Sequence, residues 1–157
     1  MENTIKSCDD DLILMQHIHK QAIVPYSAEQ MFALVDDIES YPEFLPWCKE
    51  ASEVERKPDE VTATLVLSKG LVTQAFTTCN KNTHERKIEM NLVDGPFSHL
   101  QGEWEFTELD EQNCKVVLNI EFAISNSLLR LTLEPVFALV LSRLVNAFKI
   151  RAKDIYG

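Results

Sequence analysis

Between residues 48 and 124 the sequence alternates apolar and polar positions in six successive stretches, and no other feature limits the fold as much. The clearest lies at 114–124, where Cys114, Val116, Leu118, Ile120, Phe122 and Ile124 alternate with Lys115, Asn119 and Glu121. Leu100, Gly102, Trp104 and Phe106 alternate with Gln101, Glu103, Glu105 and Thr107. Val61, Ala63, Leu65 and Leu67 share a face, as do Ile88, Met90 and Leu92. Val72 and Phe76 do so weakly, and in 48–57 only the ends are clear. Period-two alternation predicts a sheet with one face on a core and one in water. Turn signals separate the stretches at Lys57-Pro58-Asp59-Glu60, Lys69-Gly70, Asn80-Lys81-Asn82, Asp94-Gly95-Pro96 and Asp110-Glu111-Gln112-Asn113. Connections this short predict antiparallel hairpins.

The flanks supply the rest of the architecture. Residues 17–24 read as a first strand stopped by Pro25. Ser27 then has the character of an N-cap, with Gln30 completing a capping box for a helix over 28–37 that buries Met31, Phe32, Leu34 and Val35. The stretch YPEFLPWCKEA (41–51) is too apolar for an ordinary surface loop and too rich in proline for a regular helix or central strand. It predicts a short helical turn over 41–45 ended by Pro46. From Asn126 or Ser127 to Tyr156 the pattern is helical, with Pro135 expected to kink or break it near Leu131. Beyond the proline, Phe137, Leu141, Leu144, Phe148 and Ile155 form one stripe, while Ser142, Asn146, Lys149 and Lys153 lie opposite.

The expected fold is therefore α+β: a curved antiparallel sheet of six to seven strands around a long C-terminal helix, with two short helices after the first strand. One helix cannot fill the concavity of a twisted sheet, so an apolar cavity is expected, of the roughly 300–1,000 Å³ usual for ligand sites. At 157 residues the chain suits a single domain, here placed at 15–157, with 1–14 as a disordered tail or an upstream start.

Charge narrows the partners. The net charge is -10, and residues 1–60 hold 14 acidic against 5 basic side chains. Such a surface repels phosphate and anionic lipid, so general nucleic-acid binding is not expected, while a local basic patch stays open. The four cysteines, Cys8, Cys48, Cys79 and Cys114, contain no CxxC pair and are expected reduced. The chain lacks an apolar run long enough for a transmembrane helix, and its acidic start is unlike a signal peptide or presequence. These features point to a bacterial cytoplasmic protein.

Three stretches carry a family resemblance: VPYSAEQMFALVDDIESYPEFLPWCKEA (24–51), GPFSHLQGEWEF (95–106) and LVNAFKIRAKDIYG (144–157). They resemble the coenzyme-Q-binding, START-domain family, with its helix-grip fold. The likeness extends over about 17–157, and residues 1–14 have no counterpart in it. The family's bacterial branch includes the ribosome association toxin RatA, and other members are catalogued as oligoketide cyclases or lipid-transport proteins. The resemblance implies an apolar cavity for ubiquinone or a related isoprenoid quinone, in support of respiration. For the RatA branch it implies binding to the large ribosomal subunit and a block on subunit joining. No cofactor is implied beyond the quinone as ligand, and membrane contact would be transient.

The resemblance places the 41–51 segment at a rim of the cavity. Tyr41, Phe44, Leu45 and Trp47 then either touch ligand or plug the end of the core. Phe76, Met90, Phe97, Trp104, Phe137 and Leu141 complete the expected lining, each equally readable as core. Gly102 leaves space for a ligand or an approaching helix. Arg151 falls on the apolar stripe of the last helix and must pair with a carboxylate or meet a ligand head group. Lys149 and Lys153 are the candidate ribosome contacts. The four histidines form no recognisable metal set and read as solvated, with His17 and His19 on one strand face. Glu103 and Glu105 point outward, and no serine or cysteine sits in a nucleophile motif, so no catalytic residues are assigned.

Overall fold

The computed structural model describes residues 15–157; the tail expected at 1–14 lies outside them. Seven strands form one antiparallel sheet: β1 (Gln16–Val24), β2 (Cys48–Lys57), β3 (Glu60–Lys69), β4 (Val72–Thr83), β5 (Lys87–Asp94), β6 (His99–Glu108) and β7 (Cys114–Ala123). Their order is β1-β7-β6-β5-β4-β3-β2, so the first strand is carried across to close beside the last. Helix α1 (Ala28–Asp36) and a 3-10 turn (Ile38–Glu43) follow β1, and α2 (Ser127–Tyr156) ends the chain. The helix-grip arrangement expected from the alternation is present.

Local chemistry explains the element ends. The Ser27 hydroxyl accepts from the Gln30 backbone N–H at 3.1 Å, and the Gln30 side chain accepts from the Ser27 N–H at 2.9 Å. This reciprocal pair starts α1. The short helical turn begins three residues earlier than expected and contains Pro42, because a 3-10 turn tolerates proline near its end. The Asn126 side chain caps α2 through the Leu129 N–H at 3.0 Å. Pro135 does not break α2, which runs as a single helix of 30 residues. The proline lies on the solvent side, and Leu131, whose carbonyl loses its helical partner there, is likewise exposed.

Two sequence expectations fail informatively. The Asn80-Lys81-Asn82 signal is not a turn; β4 runs through it to Thr83. The reversal falls instead at His84 and Glu85, which both take positive φ (49° and 55°), and Arg86 N–H closes onto Thr83 O at 2.9 Å. Histidine is among the residues that tolerate this region, and the twist suits a hairpin. Ile155 is exposed rather than on the buried stripe, because the last turn is anchored one residue later. The Tyr156 hydroxyl donates to Gln30 O at 3.0 Å, and its ring packs 5.8 Å from Tyr26.

The core lies between α2 and the inner face of the sheet. Leu118, Ile120 and Phe122 of β7, Trp104 of β6 and Phe148 of α2 are all buried in it. Phe137 of α2 packs edge-on against Phe76 at 5.7 Å and Phe122 at 4.8 Å, while Phe148 meets Trp104 at 5.4 Å. Such pairs add about 0.5–1.5 kcal/mol each beyond area burial. Gly95 is required where it stands: its φ is +152°, and a Cβ there would lie 2.8 Å from the Cβ of Phe76.

Candidate functional site

A partly open cavity of about 70 Å³ remains between α2, the 41–47 segment and the middle of the sheet. It is much smaller than the 300–1,000 Å³ expected, because the aromatic rings of the core occupy most of the concavity. At roughly 30 Å³ per water, it has room for about two.

The structure brings together Tyr41, Trp47, Phe76, Met90, Trp104, Phe137 and Leu141 around this space, with Leu144 at its edge. It does not bring Phe44, Leu45, Phe97 or Arg151 there. Phe44 turns to the other side, edge-on to Tyr41 at 6.1 Å and to Phe148 at 5.2 Å. Leu45 is buried and floors a surface groove beside Ser68, Leu139 and Arg143. Phe97 is packed among Phe76, Phe122 and Phe137, its ring 4.8 Å from that of Phe137. The proline-interrupted aromatic stretch is thus half wall and half plug: Tyr41 and Trp47 face the cavity, and Phe44 and Leu45 between them pack against the neighbouring core.

Arg151 acquires a partner that the sequence could not name. Its guanidinium donates to Glu43 Oε2 at 3.4 Å and lies 4.8 Å above the Phe44 ring. Only 18% of its side chain is exposed, so its charge is balanced by a carboxylate and a ring face rather than turned to the cavity. Lys149 and Lys153 are exposed on the outer side of α2. Gly102 lines the cavity, and what presses on it comes from the adjacent strands rather than from a helix. A Cβ there would meet Ile120 Cγ1 at 2.6 Å, the Asn119 carbonyl at 2.9 Å and Met90 Cε at 3.2 Å, so its neighbours already occupy the space.

Sequence reasoning missed Thr78 and Asn80. Both lie on the inner face of β4 and line the cavity. Across the sheet Asn80 sits between Val61 and Met90, and Thr78 between Ala63 and Leu92. The Thr78 hydroxyl donates to Asn80 Oδ1 at 2.9 Å. They are in phase with Phe76, a signal present in the sequence but masked at Asn80, read as part of a turn.

The cavity-lining residues include no carboxylate, imidazole, ammonium or guanidinium. The Tyr41 hydroxyl donates to Val35 O, and burial, with the Asp36 carboxylate as the next cause, pushes the phenol above its ordinary range. A lining of this kind can hold an apolar molecule; it has no group poised to exchange protons near neutrality.

The histidines are solvent-facing as expected, with His17, His19 and His84 exposed and His99 half-buried, and those of the sheet's outer face pair with neighbours there. His99 Nε2 lies 2.9 Å from Glu121 Oε1, and His17 Nδ1 lies 3.6 Å from Glu121 Oε2. His19 is hydrogen-bonded to Asn119. Among the described residues no set of three His, Cys, Asp or Glu is arranged to hold a metal ion. Cys48, Cys79 and Cys114 are unpaired, and none of the described helices is long and apolar enough to cross a membrane.

Residues 24–149 match the family model described as polyketide cyclase/dehydrase and lipid transport. The chain is 43% identical over 145 residues to the ribosome association toxin RatA of Escherichia coli K12, covering 92% of each chain. It is 25% identical to the mitochondrial coenzyme Q-binding protein COQ10 of Dictyostelium discoideum, over 84% of this chain and 66% of that protein. Among solved structures, a START superfamily protein from Mycobacterium smegmatis superposes with a TM-score of 0.75 at 19% identity, covering 88% of this chain and 98% of the other.

Proposed function

The chain belongs to the polyketide cyclase/dehydrase and lipid transport family, and we propose that within it the protein acts as a RatA-type ribosome-association factor. In this reading it binds the large ribosomal subunit in the bacterial cytoplasm and keeps the subunits from joining, so that translation initiation falls. The observation that carries the reading is 43% identity sustained over 92% of both chains. Charge placement supports it. The chain is strongly acidic overall, yet α2 presents Arg143, Lys149 and Lys153 on its exposed side. A local cationic strip is what contact with phosphate requires. The test is sucrose-gradient sedimentation of purified subunits with added protein. Free subunits should accumulate at the expense of joined ribosomes in proportion to the protein added; unchanged joining would overturn the reading.

A second reading is favoured by the apolar cavity: the protein carries an uncharged apolar molecule, of which ubiquinone or another isoprenoid quinone is one candidate. A quinone ring would not fit in about 70 Å³, so occupancy needs the wall to yield. Met90 and Trp47, both half-buried, are the parts of the lining best able to move. Organic extraction of purified protein followed by mass spectrometry checks this: a stoichiometric quinone supports it, and an extract without any apolar small molecule counts against it. Both readings are of a binding protein rather than an enzyme.

A further inference from the structure

The inner face of β4 is anomalous. The corresponding face of β7 carries Val116, Leu118, Ile120 and Phe122, all buried and apolar. On β4 the same phase runs Phe76, Thr78, Asn80 and Asn82. Two of these polar side chains, Thr78 and Asn80, stand on the wall of an otherwise apolar cavity. Their flanking residues on β3, Ala63 and Val61, are buried, while Thr78 and Asn80 themselves are half-buried.

A polar group in such a place costs stability unless it is hydrogen-bonded. Asn80 is satisfied at only one end. Its Oδ1 accepts the Thr78 hydroxyl at 2.9 Å. Among the described residues the protein offers no acceptor to its Nδ2, yet that nitrogen is not among the sealed, unpartnered buried atoms. The half-buried amide on the cavity wall thus keeps its two N–H donors free of protein partners. Their complement is an acceptor oxygen. The absence of a charged side chain in the lining excludes an anion or a cation, since neither would have a counter-charge there.

We propose that Asn80, held by Thr78, is the head-group donor for an uncharged apolar ligand bearing a carbonyl oxygen, with Trp104, Phe137 and Met90 around its apolar body. This rests on the second reading above, that the cavity takes an apolar ligand, and adds which chemical class it selects. Quinones, aryl ketones and aliphatic ketones share that chemistry. Hydrocarbons of the same shape do not.

The experiment uses two isosteric probes, acetophenone and isopropenylbenzene, which differ in carrying C=O or C=CH₂. Binding to the full chain is followed by ¹H–¹⁵N NMR through the Trp47 and Trp104 indole signals and the Asn80 side-chain amide. The expected result is that both probes shift the indole signals, that acetophenone alone moves the Asn80 amide, and that acetophenone binds about five- to tenfold more tightly. Asn80→Leu should reduce that preference to about one while the alkene still binds. Asn80→Asp, close in shape but without a donor at neutral pH, provides the same comparison should the leucine variant not fold. Equal binding of the two probes to the wild type, or an undiminished preference in these variants, would overturn the Asn80 assignment while leaving an apolar site in place. Failure of both probes to shift either indole would overturn the apolar-ligand reading and the assignment with it.

Discussion

Strands β4 and β7 belong to the same sheet and face the same helix, but their inner faces do different work. On β7 each inward side chain is apolar and buried: Val116, Leu118, Ile120 and Phe122, of which Ile120 alone borders the cavity. On β4 one phenylalanine is followed by a threonine and two asparagines, and the small cavity opens where Thr78 and Asn80 stand. The difference separates positions where burial itself is the contribution from positions where a polar group has been kept at some cost to packing. Conservation of fold would tolerate β4 being as apolar as β7; a site for another molecule would not.

The strongest way to sharpen that contrast is to remove volume from the packed wall. Leu118→Ala deletes a fully buried side chain with little freedom for its neighbours to collapse, and should cost about 2–5 kcal/mol in denaturant unfolding. A loss under about 1 kcal/mol would mean that β7 is as loosely packed as β4.

Alkaline titration compares the thiols of the same two strands. Burial pushes the Cys114 thiol of β7 up to about 11 from an ordinary 9.0, and that of Cys48 likewise. A value raised in the folded state favours folding while the thiol is protonated. Its contribution is full below about pH 9 and is lost as pH rises through 11, on the order of 1–2 kcal/mol per thiol. The excess stability of the wild type over Cys114→Ala should therefore shrink between pH 8 and 11 in thermal unfolding. Cys79→Ala, on the half-buried outer side of β4, removes a thiol that burial also raises, and should alter the slope of that profile less than Cys114→Ala does.

The polar pair gives a smaller effect of opposite sign. Replacing both partners, as Thr78→Val with Asn80→Leu, removes a hydrogen-bonded pair and adds apolar surface. Stability should be unchanged or rise by up to about 1 kcal/mol. Thr78→Val alone should be worse than the double variant, because it leaves Asn80 Oδ1 without its donor. A large loss in the double variant would show that the pair is structural and would abolish the contrast with β7.

The smallest stability change belongs to a surface remote from both strands. Lys149→Glu with Lys153→Glu should alter folding by within about 0.5 kcal/mol, since both lysines are exposed. Their effect should appear in subunit sedimentation, where the variant blocks joining less well than the wild type, most visibly at low salt. Equal activity of the two proteins would place the ribosome contact on another surface.

The sequence by itself determined the elements and their order. Period-two alternation records which face of a strand meets the core, so β3, β5, β6 and β7 and the burial of Trp104 were legible without coordinates. The Ser27–Gln30 cap was equally plain, because both partners lie within one helical turn. What the tertiary structure decided were relations between distant residues. Arg151 meets Glu43 across 108 positions of sequence. Phe44 and Phe97 turn into core clusters while Trp47 turns to the cavity, a choice that identical side-chain chemistry cannot encode. The asparagines of β4 were misread because Asn favours turns and strands dislike it, and local propensity carries no knowledge of an adjoining strand. Pairing with β3 and β5 overrode that preference and drew the turn on to His84 and Glu85. Cavity size was also beyond the sequence, since it is the small remainder left after large side chains from α2, the 41–47 segment and the sheet have packed together, and such a remainder depends on the position of every one of them.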